Sequence, residues 1–121
     1  MKPNKKILFI SNSLFYLSNF RSELIETFAH DKYEVFLCVP RLKENEIPIS
    51  NRFRNLSNVN VLEIDMDRSS TNILSNLISL YQIFITFIKI KPDIILLFTI
   101  KPVIFGSLCS MILGVKNCYS F

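Results

Sequence analysis

The chain has 121 residues, half of them hydrophobic, and a formal net charge of +4. That size suits one domain or one half of a two-domain protein, and that apolar content excludes a disordered chain. Three cysteines without paired spacing exclude a disulfide framework and a zinc site, and point to a reducing, cytoplasmic interior. The elements then read in order. "KKILFI", residues 5–10, is an apolar run rich in Ile and Phe that predicts a strand buried on both faces. It is too short for a signal-peptide core, and no cleavage-like site follows. "NFRSELIETFAHD", residues 19–31, places Phe20, Leu24 and Phe28 at helical spacing and predicts an amphipathic helix after a polar loop. Residues 33–40 predict a second strand, stopped by Pro40. Residues 41–58 are polar, with one short helix expected near Asn51 to Leu56. "VNVLEI", residues 59–64, is a third strand, and residues 65–71 are a polar turn.

Two segments have the length of a bilayer crossing, about 20 residues. In the first, residues 72–92, the positions Asn72, Ser75, Ser79, Gln82, Thr86 and Lys89 recur three and four apart. They form one polar stripe, which a helix lying on a sheet needs and a bilayer span does not. Pro92 is expected to end that helix. In the second, residues 93–115, only Asp93 and Lys101 carry charge. Pro102 suits the first turn of a helix and would break an interior. The run therefore divides into a buried strand "DIILLF", a short turn "TIK", and a helix from Pro102 that Gly114 ends. Residues 116–121 open a fifth strand. Near-strict alternation with continuous apolar strands predicts a Rossmann-like α/β fold, a doubly wound parallel sheet with helices on both faces.

Such a sheet binds ligands outside the carboxyl ends of its strands, where strand order reverses. The turns there hold no G-x-G-x-x-G and no P-loop, and the chain has only Gly106 and Gly114. Ordinary dinucleotide binding and phosphate-loop ATPase activity are thus not expected. A receiver domain would need acids after the first strand, where Ser11, Asn12 and Ser13 stand. His30 reads as a helix C-terminal group, Gly106 and Ser110 as close helix packing, and Asp65 with Asp67 as a solvated turn with no metal. The informative set is cationic: Arg21, Arg68 and Lys101 on three strand-end turns. With helix N-termini at the first and fourth turns, that edge would attract a phosphate-bearing ligand. The basic balance also allows an anionic membrane surface; a nucleic-acid partner is not expected.

Four stretches carry a resemblance: "KKILFISNSLFYLSNFRSELIETF", "YEVFLCVP", "DMDRSSTN" with Arg68, Ser70 and Asn72 in pattern, and "KPDIILLFTIKPVIFGSLCSMILGV". Together they resemble the N-terminal, acceptor-side domain of the family-4 retaining glycosyltransferases of the GT-B fold. The bacterial capsule, O-antigen and lipid-linked oligosaccharide branch is the most similar. The resemblance covers nearly all of residues 1–121 and ends within or after the fifth strand. It implies transfer of a sugar from a nucleotide sugar to a polyprenyl-diphosphate-linked or saccharide acceptor, without a separate cofactor or metal. A C-terminal half or second subunit would hold most of the donor site, so this chain alone would not turn over. Implied substrate contacts are Asn12, Ser13, Arg21, Arg68, Ser70, Thr99 and Lys101. Many relatives carry a histidine in the turn after the fourth strand, where this chain has Thr99 and Ile100, so that role does not transfer. A cytoplasmic site, peripheral at the inner face of the plasma membrane, follows from such an acceptor. The competing reading is a non-catalytic module that binds a membrane surface or a partner through the wide apolar face of residues 72–91.

Overall fold

Ile7, Leu8, Phe9 and Ile10 are all buried, and their side chains alternate between two separate cores. Only a strand covered on both faces allows that, so the first apolar run sits at the centre of a sheet. The computed structural model describes residues 5–56, 58–65, 73–115 and 117–120, the side chains of Ile100 and Lys101 excepted. Its elements are β1 (Lys6–Ile10), α1 (Leu14–Phe20), α2 (Ser22–His30), β2 (Glu34–Pro40), α3 (Ile47–Arg54), β3 (Val59–Ile64), α4 (Ile73–Ile90), β4 (Ile94–Leu97), α5 (Ile100–Leu113) and β5 (Cys118–Ser120). The strands are all parallel in the order β3-β2-β1-β4-β5. The expected doubly wound, Rossmann-like sheet is therefore the observed one.

Helices α1, α2 and α3 cover one face. Ile7, Phe9, Val35, Leu37 and Leu96 pack there with Leu14, Leu17, Ile25 and Phe53. Helices α4 and α5 cover the other, where Leu8, Ile10, Ile95 and Leu97 meet Ile83, Phe87, Ile90 and Cys109. Two cysteines serve as small hydrophobes in this second core. Burial pushes the Cys38 thiol up to about 12, against a lowering hydrogen bond with Thr86. Burial also pushes the Cys109 thiol up to about 11. Neither is a reactive thiolate near neutral pH.

Several boundaries differ from expectation. The segment "SNSLFYLSN" is not a loop: α1 begins at Leu14, because Ser13 caps it and Leu14 and Leu17 share one buried face. The helix expected over residues 19–31 is broken at Arg21, whose φ of −129° separates α1 from α2. Phe20, expected on the inner stripe, is 67% exposed as a result. Helix α3 starts earlier than expected, after a single 3-10 turn at Glu44–Glu46, with Pro48 in its first turn. Helix α5 starts two residues before Pro102, which still falls in the first turn.

The largest reversal concerns α4. The polar stripe exists, but its centre faces the protein. Ser79 is fully buried, and its hydroxyl donates to the carbonyls of Asp65 and Ser75. Thr86 donates to the Gln82 carbonyl. Ile73, Leu74, Leu77, Ile78 and Tyr81 face solvent instead.

Of the small pair on α5, Gly106 is the close-packing position. Gly106 lies against Leu97 of β4, so that a Cβ at this position would overlap the Leu97 methyl groups. Gly114 ends α5 at a φ of 72°, with its N–H donating to the Ser110 carbonyl. Gly106→Val is expected to lower the unfolding free energy by about 1–3 kcal/mol through overpacking. Urea titration measures this, and an unchanged midpoint would show that α5 is not seated on Leu97.

Candidate ligand site at the sheet switch point

Strand order reverses between β1 and β4, so the turns that follow these two strands lie side by side. Three backbone donors join the neighbouring strand ends. Phe98 donates its N–H to the Ile10 carbonyl at 2.9 Å, and Ser11 donates to the Cys38 carbonyl at 3.2 Å. Asn12 donates its N–H to the Thr99 hydroxyl at 3.2 Å, across 87 residues of sequence. The Thr99 hydroxyl in turn donates to the Phe98 carbonyl. Thr99 is thus fully engaged as a brace between the two turns.

That brace is held in an unfavourable backbone. Thr99 has φ 72° and ψ 169°, a region that a β-branched residue rarely adopts. Such a conformation costs on the order of 1–3 kcal/mol, which the flanking strand pairings and the Asn12 bond offset.

Arg21 reaches the same place from the α1–α2 break. Its guanidinium carbon lies 5.1 Å from the centre of the Phe98 ring. Phe98 is buried and stacks on Phe9, with ring centres 5.8 Å apart. Tyr16 packs on the same ring at 6.2 Å. The Arg21 Nε is sealed from solvent. A partly desolvated cation on an aromatic face gains roughly 1–2 kcal/mol and loses freedom of orientation.

The two helix N-termini at this edge are not equivalent. In α1 the Tyr16 N–H donates to the Ser13 hydroxyl at 3.1 Å, and the Phe15 N–H donates to Glu46 Oε2 at 3.0 Å. Glu46 is buried, and its other oxygen accepts the Lys43 N–H at 3.1 Å. The protein's own groups therefore close the N-terminus of α1. At α5 the Thr99 hydroxyl provides no cap, because it turns back to the Phe98 carbonyl. The anion-attracting end is the α5 one, carried by the "TIKP" turn.

Of the residues expected here, Asn12, Thr99 and Arg21 come together at the switch point. Ser13 is adjacent and serves as the α1 cap. The backbone of Lys101 lies in the first turn of α5. Arg68, Ser70 and Asp67 lie outside the described residues. Asp65 forms an exposed ion pair with Arg41 at 2.9 Å. Sequence reasoning missed Glu46 and Phe98. Phe98 was legible only as the last residue of an apolar run, and Glu46 only as one acid among several. Among the described residues, open clefts also lie elsewhere. One of about 880 Å³ runs along α2 from Glu23 to Asp31, and one of about 480 Å³ lies between the C-terminal ends of α4 and α5.

The parallel sheet with helices on both faces is the Rossmann-like fold of a GT-B half-domain. Residues 6–120 match the glycosyl transferase 4-like family, and the chain belongs to that family. No curated protein sequence matches the chain significantly. Among solved structures it is similar to MurG of Acinetobacter baumannii, at TM-score 0.65 and 14% identity over 98% of this chain and 34% of that one. It is also similar to a UDP-N-acetylglucosamine 2-epimerase, at 0.67 and 17% over 98% and 32%. A third is the SsfS6 glycosyltransferase of Streptomyces sp. SF2575, at 0.59 and 16% over 97% and 39%. At these identities the likeness is one of fold. The chain spans about a third of the length of these proteins.

Removing the Glu46 carboxyl strands two backbone N–H groups, that of Phe15 in α1 and that of Lys43 within the β2–α3 connection. Glu46→Ala is expected to cost about 1.5–3 kcal/mol, with Glu46→Gln recovering part of it through its remaining acceptor oxygen. Urea unfolding of both variants measures this, and a neutral Glu46→Ala would contradict the bridging role.

Proposed function

We propose that the chain is the acceptor-side half of a bacterial sugar transferase. The complete enzyme would move a sugar, with retention, from a nucleotide sugar to a polyprenyl-diphosphate-linked or saccharide acceptor in surface-polysaccharide synthesis. The observation that carries this is the family match across residues 6–120, joined to the fixed cation at the switch point. Arg21 supplies charge for an acceptor diphosphate or for the diphosphate leaving the donor. The α5 N-terminus adds a fixed dipole on the same edge. Asn12, with the brace at Thr99, sets the floor of the site, and Lys101 with Arg68 and Ser70 would complete its charged and polar rim. Catalysis of this kind rests on positioning and on stabilising charge that develops in the transition state. The donor half supplies the rest, so the 121 residues alone are expected to transfer no sugar.

Inorganic pyrophosphate is the simplest probe of this reading. In an amide-resolved NMR titration the expected shifts fall on Asn12, Ser13, Arg21 and the first turn of α5. Arg21→Ala should weaken binding roughly tenfold or more, the scale of one lost charged hydrogen bond. Shifts confined to the lysines near the N-terminus, or no shifts at all, would contradict the site.

A second reading is a non-catalytic docking module. The outward apolar face of α4 favours it, and a detectable rate when the chain is joined with a donor half would exclude it.

A further inference from the structure

The break at Arg21 turns a phenylalanine outward. Phe20 is 67% exposed, although its spacing to Leu24 and Phe28 would place it inside an unbroken helix. Its ring is nevertheless seated. Phe20 packs on Tyr16, one turn earlier in α1, with ring centres 5.2 Å apart and planes tilted by 44°. Tyr16 packs on Phe98 at 6.2 Å, and the Arg21 guanidinium lies on that same Phe98 ring at 5.1 Å. Phe20 and Arg21 are thus chain neighbours whose side chains are anchored to one row of aromatic rings. The row runs from the buried stack of Phe9 on Phe98 out to the exposed ring of Phe20. A single exposed apolar residue needs no explanation. An exposed ring held by packing, beside a charge that is also held, is a preorganised pair, and preorganisation lowers the cost of binding.

The surrounding chemistry narrows the occupant. Residues 11–21 contain no acid, and α1 carries no charge of its own. A second arginine, Arg52 of α3, donates to the Ser18 hydroxyl of α1 at 2.7 Å. The local field therefore favours an anion. The residues that flank Phe20 in the chain, Ser18, Asn19 and Arg21, supply a hydroxyl, an amide and a cation. An aromatic face is the negative side of a quadrupole, so it attracts the C–H groups that line the apolar face of a pyranose. Hydroxyl and amide groups beside that ring suit the sugar's own hydroxyls. We infer that Phe20 is the stacking face for the sugar ring of a phosphate-linked saccharide, with the phosphate at Arg21.

This assignment rests on the acceptor-side reading and adds a residue outside the implied substrate contacts. The two side chains divide the work. Arg21 attracts any phosphate, whereas Phe20 adds affinity only when a ring is attached to it. Phe20 is then a specificity-determining residue for the saccharide.

Amide-resolved NMR titration of the full 121-residue chain tests it with three phosphate monoesters: methyl phosphate, glucose 1-phosphate and uridine 5′-monophosphate. Glucose 1-phosphate is expected to bind about tenfold more tightly than methyl phosphate, with added shifts at Asn19 and Phe20. Phe20→Ala should bring these two probes to equal affinity, and Phe20→Tyr should restore the difference. Arg21→Ala should weaken both alike. Phe20 is exposed, so the circular-dichroism melting curves of its variants should stay close to the wild type and exclude misfolding as the cause. Methyl phosphate and glucose 1-phosphate binding equally well at Arg21 in the wild type overturns the inference and leaves the acceptor-side reading standing. So does a sugar advantage that survives in Phe20→Ala. A larger gain for uridine 5′-monophosphate, lost in Phe20→Ala, assigns the ring to a nucleobase and overturns it too. Failure of every probe, pyrophosphate included, to shift Arg21 and the first turn of α5 overturns the acceptor-side reading and this inference together.

Discussion

Strand β1 has β2 on one side and β4 on the other, and everything at the candidate site depends on that placement. The chain leaves β1 toward one layer of helices and returns beside it, through α4, in the other layer. The ends of β1 and β4 therefore meet although 87 residues separate Asn12 from Thr99. The Phe98–Ile10 and Asn12–Thr99 hydrogen bonds fix that meeting point, and Phe9 and Phe98 stack beneath it. The unfavourable backbone of Thr99 persists because these contacts hold it on both sides.

The site follows from what the brace leaves available. Ser13 and Glu46 occupy the first-turn donors of α1, so that helix end offers little to an anion. Glu46 also ties the β2–α3 connection to α1, which steadies the layer that presents Arg21. The break at Arg21 lets the guanidinium lie on Phe98 instead of extending into solvent. A cation is thus fixed over an aromatic ring next to the start of α5, which the Thr99 side chain does not cap; in the proposed reading this pair holds a diphosphate. The opposite layer contributes differently. Its outward residues are apolar where water would favour polar ones, so the same fold carries a fixed cation in one layer and an apolar face on the other.

Much of this was legible in the sequence. Uninterrupted apolar runs gave the central strands, Pro102 and Gly114 bracketed α5, and the alternation of elements gave the sheet. The resemblance to a glycosyl transferase 4-like family rested on four stretches of sequence, and the family match spans residues 6–120. Other features left no local signal. The polar triplet Ser11–Ser13 hid the start of α1, because a capping serine and a loop serine look alike. No glycine or proline marks the break at Arg21. The spacing of Ser75, Ser79, Gln82 and Thr86 showed a stripe but not its direction, since periodicity fixes which residues share a face and tertiary packing decides where that face points. The brace at Thr99 depends on a contact 87 residues away, which no window of sequence contains.

The central claim is that Phe98 holds Arg21 at the switch point. A double-mutant cycle in this chain addresses it directly, with Arg21→Met to remove the charge while keeping the stem, and Phe98→Leu to remove the ring. Urea unfolding of the four proteins should give a coupling energy of about 0.5–2 kcal/mol. Additivity within about 0.3 kcal/mol would show that the guanidinium is not held by the ring, and would contradict the account.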